Sequence, residues 1–149
     1  MYRIPLDIKA LIREDVPYFD LTSVSLGIDG DQAHIEYFTR EDCTVCCTEE
    51  ASAVFAELDI ITEGFIPSGE RAAAGSVLIS GTGRASSVFT AWKVVQNLLD
   101  HTSGIATAAA EMTKLAREVN PDISILTTRK MFPGTRELTI KAVMAGGAF

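Results

Sequence analysis

A chain of 149 residues with 47% hydrophobic side chains can bury an ordinary core, and has room for one domain or for one domain and part of another. Its net charge of −7 and pI near 4.8 argue against nucleic acid or an anionic membrane as the main partner, because phosphate-rich surfaces demand positive faces. No apolar run approaches the ~20 residues of a bilayer span and the N-terminus lacks a signal-peptide core, so the protein reads as cytoplasmic.

The first periodic segment, residues 5 to 13, predicts a turn or two of helix with Ile4, Ile8, Leu11 and Ile12 on one side. Pro17 breaks it, Asp20 and Thr22 suggest an Asx-type turn, and Gly27 and Gly30 mark another. From Ala33 to Thr39 the chain alternates as a strand does, with Ala33, Ile35 and Tyr37 on one face and His34, Glu36 and Phe38 on the other. Cys43 to Thr48 reads as a second, more buried strand. Cys43, Cys46 and Cys47 form no disulfide framework and have no second pair of ligands to complete a zinc site, so they read as reduced, small apolar residues. Thr48-Glu49-Glu50 opens a helix with a hydroxyl cap and first-turn acids, and that helix runs to about Leu58.

Ile60 to Ile66 predicts a strand, Pro67 to Gly69 a turn, and Val77 to Ile79 a further strand. Gly81-Thr-Gly83-Arg84-Ala-Ser86 invites a dinucleotide fingerprint, but Ser86 replaces the third glycine and no acid-tipped strand follows, which favours a plain glycine turn. Val88, Trp92, Val95 and Leu99 then recur at helical spacing. Thr102-Ser-Gly104 predicts an interruption, with Ser103 capping a second helix on Ile105, Ala109, Met112, Ala116 and Val119, stopped by Asn120-Pro121.

Beyond that stop the style changes to strand, loop and helix. Residues 123 to 128 read as a short apolar strand, Pro133-Gly134 as a turn, and a helix opens at Pro133 or Thr135 and closes at Gly146-Gly147. One β-then-α unit cannot cover its own apolar face, so the chain looks cut inside a second domain. Arg129, Lys130, Arg136 and Lys141 against Glu137 give this region a local +3, on a chain whose first 128 residues carry −10. A cationic spot where a strand hands over to a helix suits a small anion.

Three blocks together resemble the quinolinate phosphoribosyltransferase (nicotinate-nucleotide pyrophosphorylase) family. They are Glu14-Asp15 with Asp20-Leu21-Thr22; Asn97 through Ser103-Gly104-Ile105-Ala106-Thr107; and Thr128-Arg129-Lys130 with Pro133-Gly134 and Arg136. Ala91-Trp92-Lys93-Val94 and Lys130-Met-Phe-Pro are most similar to its ModD branch, associated with molybdenum transport. The resemblance implies an N-terminal α/β sandwich domain over residues 1–108, then a linker helix and the first β-α unit of a TIM-like α/β barrel over residues 109–149.

It also implies a homodimer that moves phosphoribosyl from phosphoribosyl pyrophosphate, with Mg2+, to an anionic acceptor of the pyridine-carboxylate type. By the same likeness Arg129 and Lys130 hold carboxylate and phosphate, Thr128 adds a hydroxyl, and Arg136 and Lys141 rank second. Lys93 stands where quinolinate enzymes carry an arginine that reaches across the dimer, which leaves the acceptor open. The family's His-Arg pair, later lysine and acidic metal and ribose residues would fall beyond Phe149, so the segment alone is expected to be inactive. The competing reading is a non-catalytic module that binds an oxyanion or serves dimerisation.

Overall fold

Tyr37 shows how the first layer closes. In the computed structural model, which describes residues 6–149, it lies on strand β1 (Gln32–Phe38). Its ring is buried, and its hydroxyl donates to the carbonyls of Ala91 and Trp92 at 3.3 and 3.0 Å. Burial pushes that phenol well above its ordinary pKa. Ala33 and Ile35 point inward with it while His34, Glu36 and Phe38 face out, which is the expected alternation.

β1 pairs antiparallel with β5 (Val77–Arg84), and β5 with β3 (Ile61–Phe65), giving a three-stranded sheet in the order β1-β5-β3. Two helices cover one face: α3 (Thr48–Glu57), through Ala51, Val54 and Phe55, and α4 (Ala85–Val119), through Val88, Ala91, Val95 and Leu99. α1 (Ile8–Asp15) adds Ile8, Leu11 and Ile12 to this core; Ile4, expected on the same face, lies outside the described residues. A small second ladder joins β2 (Cys43–Thr44) to β4 (Arg71–Ala72).

Several expectations are corrected. Asp20 accepts from the Ser23 N–H at 2.6 Å and caps a six-residue helix, α2 (Leu21–Leu26), where only a turn was expected. The strand predicted over Cys43 to Thr48 stops at Thr44, and Thr48 caps nothing: as the first residue of α3 it donates its hydroxyl to the Ile66 carbonyl at 2.6 Å. Gly81 and Gly83 form no turn but lie within β5, because a Cβ on Gly81 would sit 2.8 Å from Phe55 Cε2 and one on Gly83 3.0 Å from Ile60 Cγ1. Gly81 lets β5 approach Phe55 of α3 closely, and Gly83 lets it approach Ile60, in the segment between α3 and β3.

α4 is one helix of 35 residues, about 52 Å long at 1.5 Å per residue, with no break at Gly104. Its hydroxyls are compatible with helix: Thr102 and Thr107 each donate to the carbonyl four residues earlier, at 2.7 Å. Ser103 is a dock rather than a cap. Its Oγ accepts from the Cys46 N–H at 3.1 Å, and Thr107 Oγ1 accepts from the Thr44 N–H at 2.9 Å, which ties β2 and the chain after it to the helix. The buried face therefore runs through Thr102, Ala106, Ala109 and Thr113, leaving Trp92, Met112 and Val119 exposed against expectation.

Residues 123 to 128 make no ladder strand among the described residues. They do make one parallel contact: the Phe149 N–H donates to the Ile125 carbonyl at 2.9 Å, and the Thr127 N–H to the Phe149 carbonyl. One residue bonded to two that flank a third is the parallel pairing pattern. Between these partners runs α5 (Arg136–Ala145), packed on α4.

Candidate functional site

The turn between residue 128 and α5 is built from its own short bonds. Thr128 Oγ1 accepts from the Lys130 N–H at 3.2 Å, the Met131 N–H donates to the Arg129 carbonyl at 3.2 Å, and the Thr135 hydroxyl donates to the Phe132 carbonyl at 2.8 Å. Gly134 takes φ 88°, a left-handed value that glycine adopts freely. These bonds leave the side chains of Arg129, Lys130 and Arg136 exposed, and among the described residues none of the three forms an ion pair. Three cations are thus available to a ligand at the carboxyl end of the 123–128 segment. Lys93 is elsewhere, on the exposed side of α4, where its Nζ donates to Gln96 Oε1 at 2.9 Å and lies 4.8 Å from the centre of the Trp92 ring.

The blocks that stood out in the sequence converge beside this turn. A cavity of about 340 Å3 between α1, α4 and α5 is lined by Glu14 and Asp15 from the first block, Asn97 and His101 from the second, and Thr135 next to the third. A wider cleft of about 690 Å3 on another flank of α4 is bordered by Trp92, Gln96, Asp100 and Gly104. Lys93, Thr128, Arg129, Lys130 and Arg136 line neither of these two cavities; of the turn, Thr135 alone reaches the smaller one.

Lys141 differs from an open helical cation. It is 1% exposed, and its Nζ donates to Glu50 Oε2 at 2.5 Å and to Glu49 Oε2 at 3.0 Å. Burial alone would lower its pKa, but the hydrogen bonds to the two carboxylates outweigh that and raise it. Glu49 accepts in addition from the Ser68 N–H at 2.9 Å and from the Ser68 hydroxyl; against burial, which works the other way, these bonds hold its carboxyl down at about 2. Cys46 and Cys47 border the network, both fully buried with sulfurs 3.7 Å apart. The neighbouring thiol draws Cys46 down, while Cys46 and burial push Cys47 far up.

Glu49 and Glu50 were legible only as first-turn acids. One signal for a buried role existed: Glu50 lies one turn before Val54, on the apolar stripe of α3. The partner, 91 residues away on another helix, could not be read from spacing.

Family models describe what this arrangement is similar to. The model for the quinolinate phosphoribosyl transferase N-terminal domain matches residues 20–103, and that for its C-terminal domain residues 105–149. ModD of Rhodobacter capsulatus is 39% identical over 141 residues, covering 95% of this chain and 54% of that protein. ModD of Escherichia coli O6:H1 is 36% identical over 140 residues, covering 94% and 49%. The chain spans about half the length of the curated relatives it matches.

Among solved structures, nicotinate-nucleotide pyrophosphorylase from Ehrlichia chaffeensis superimposes with a TM-score of 0.87 at 26% identity, over 99% of this chain and 54% of that one. NadC from Streptococcus pyogenes gives 0.85 at 27% identity, over 95% and 50%. These superpositions identify the fold as an α/β sandwich followed by the beginning of an α/β barrel.

Proposed function

The chain belongs to the quinolinate phosphoribosyl transferase family, and on that premise we propose that it carries the anion-gathering half of a phosphoribosyltransferase site. The reaction is transfer of phosphoribosyl from phosphoribosyl pyrophosphate to a pyridine-carboxylate acceptor. The observation that carries this reading is the exposed Arg129-Lys130 pair, unpaired with any acid among the described residues, at the end of the segment that enters the barrel. Barrel enzymes place their chemistry at the carboxyl ends of strands.

The chemistry follows from charge. A carboxylated acceptor and a polyphosphate donor repel each other, and cations between them offset that repulsion. The same cations stabilise negative charge as it builds on departing pyrophosphate. Arg129 supplies a planar fork suited to a carboxylate or phosphate, Lys130 a point charge, and Thr128 a hydroxyl; Arg136 ranks second. The family resemblance, not a contact in this chain, gives Lys93 its place in the proposal, as a residue that serves the site of a second copy in a homodimer.

Magnesium is expected with the donor. Among the described residues no group of three or more His, Cys, Asp or Glu side chains is placed to hold a metal ion, and no step of the reaction is routed through one. Among the described residues no helix is long and apolar enough to cross a membrane. We place the protein in the cytoplasm, with the division between its two domains in α4 near residue 108. The likeness to ModD proteins supports that branch, and with it a role linked to molybdenum transport.

The test uses the protein at its full natural length. Arg129→Ala and Lys130→Ala should each weaken phosphoribosyl pyrophosphate binding, measured by calorimetry, by ~10- to 100-fold, as loss of a charged hydrogen bond does. Unchanged affinity in both variants would refute the assignment.

A further inference from the structure

We propose that Lys141 is a positioning residue for the anion site: held by Glu50 and Glu49, it fixes α5 and so aims the turn that presents Arg129 and Lys130. This rests on the reading of those two cations as anion-binding.

Among the described residues the hydrogen bonds of the turn stay within it, linking Thr128 to Lys130, Arg129 to Met131 and Phe132 to Thr135, so its orientation comes from its two ends. On one side the Phe149 pairing holds Ile125 and Thr127; on the other, α5 begins at Arg136, directly after Thr135.

α5 packs its apolar face, Leu138, Ala142 and Ala145, into a cluster with Leu98, Ile105 and Ala106 of α4 and with Cys46 and Cys47, and is held at two further places. At its C-terminal end Gly146 lies so close to α4 that a Cβ would be 2.4 Å from the Ala106 carbonyl oxygen and 2.6 Å from Ala109 Cβ. The second contact, in the middle of α5, is Lys141, whose ammonium meets two carboxylates of α3 at 2.5 and 3.0 Å. Glu49 is in turn held by the N–H and hydroxyl of Ser68, so the acceptor end of the clamp is also fixed. Burial at 1% exposure and two carboxylate partners leave this ammonium no open side toward a substrate phosphate. The directional bonds of this cluster add to the apolar packing of α5 and favour one setting of the helix.

The test is made in the full-length protein, with inorganic pyrophosphate as the calorimetric probe and thermal melting alongside. The charge-free set Lys141→Met, Glu49→Gln and Glu50→Gln keeps shape without leaving an unpaired buried charge. It should weaken pyrophosphate binding on the order of tenfold, the size of effect a small misplacement produces, while still melting cooperatively. In an Arg129→Ala, Lys130→Ala background the same set should weaken binding no further.

Parent-like affinity in the folded charge-free variant would overturn the inference. So would an equal loss in both backgrounds, which would mean that Lys141 acts independently of the turn. If the charge-free set fails to fold, Lys141→Arg, which keeps a cation but relocates its charge, is measured in both backgrounds and judged by the same two outcomes. Arg129→Ala and Lys130→Ala without effect on pyrophosphate would instead defeat the site reading, and this inference with it.

Discussion

Ser103 and Cys46 lie 57 residues apart, yet the hydroxyl of one accepts the buried backbone N–H of the other at 3.1 Å. Together with Thr107, which accepts from Thr44, Ser103 supplies α4 with acceptors for backbone donors of the chain that runs from β2 into α3. The Ser-Gly-Ile-Ala-Thr block thus has a physical role in this fold that is independent of catalysis: it holds the layer bearing Glu49 and Glu50 against the long helix.

Removing either hydroxyl leaves a donor without its partner. Ser103→Ala should cost ~1 to 3 kcal/mol in urea unfolding, the penalty for a buried unsatisfied N–H, and Thr107→Ala the smaller part of that range because its site is only part-buried. Two changes within about 0.3 kcal/mol of the parent, the scatter expected between independent sites, would mean that water or a shifted backbone replaces these bonds.

Two glycines should respond in opposite directions. Gly146→Ala puts a methyl against the Ala106 carbonyl and Ala109, and should destabilise by ~1 to 3 kcal/mol as α5 is forced off α4. Gly104 lies inside α4 with nothing within 4 Å of the place an added methyl would take, so Gly104→Ala should stabilise by up to about 1 kcal/mol through helix propensity. Thermal melting decides both, and a destabilised Gly104→Ala would reveal a surface that approaches the helix closely there.

Acid should loosen the clamp through Glu49. Its folded pKa is depressed from an ordinary 4.5 to about 2, so its stabilising effect is complete above pH 4.5 and is lost as pH falls toward 2. The difference in unfolding free energy between the parent and Glu49→Gln should therefore shrink across that window. A difference that stays constant from about pH 5 to about pH 2, through the ordinary carboxylate range, would contradict the assignment.

What could be read from the chain was what depends on neighbours in sequence. The alternation through Tyr37, the α3 register on Val54 and Phe55, and the helix after the Pro133-Gly134 turn all have local causes, and the structure has them. Continuity of α4 could not be read, because Thr102-Ser-Gly104 is equally a cap and a dock until its partner strand is known. Gly81 and Gly83 looked like a turn because the reason for them is Phe55 and Ile60 pressing on β5. The candidate site divides in the same way. Arg129 and Lys130 stood out as a local charge reversal, whereas the fate of Lys141 depended on two glutamates more than 90 residues away.

The central claim, that Arg129 and Lys130 gather anionic reactants for phosphoribosyl transfer, is tested most directly by pyrophosphate release from the full-length protein supplied with phosphoribosyl pyrophosphate and quinolinate or another pyridine carboxylate. Release should require the acceptor and fall by at least ~100-fold when Arg129 and Lys130 are both replaced by alanine, since two charge-assisted contacts are lost. Acceptor-dependent release that persists at the parent rate in the double variant would contradict it.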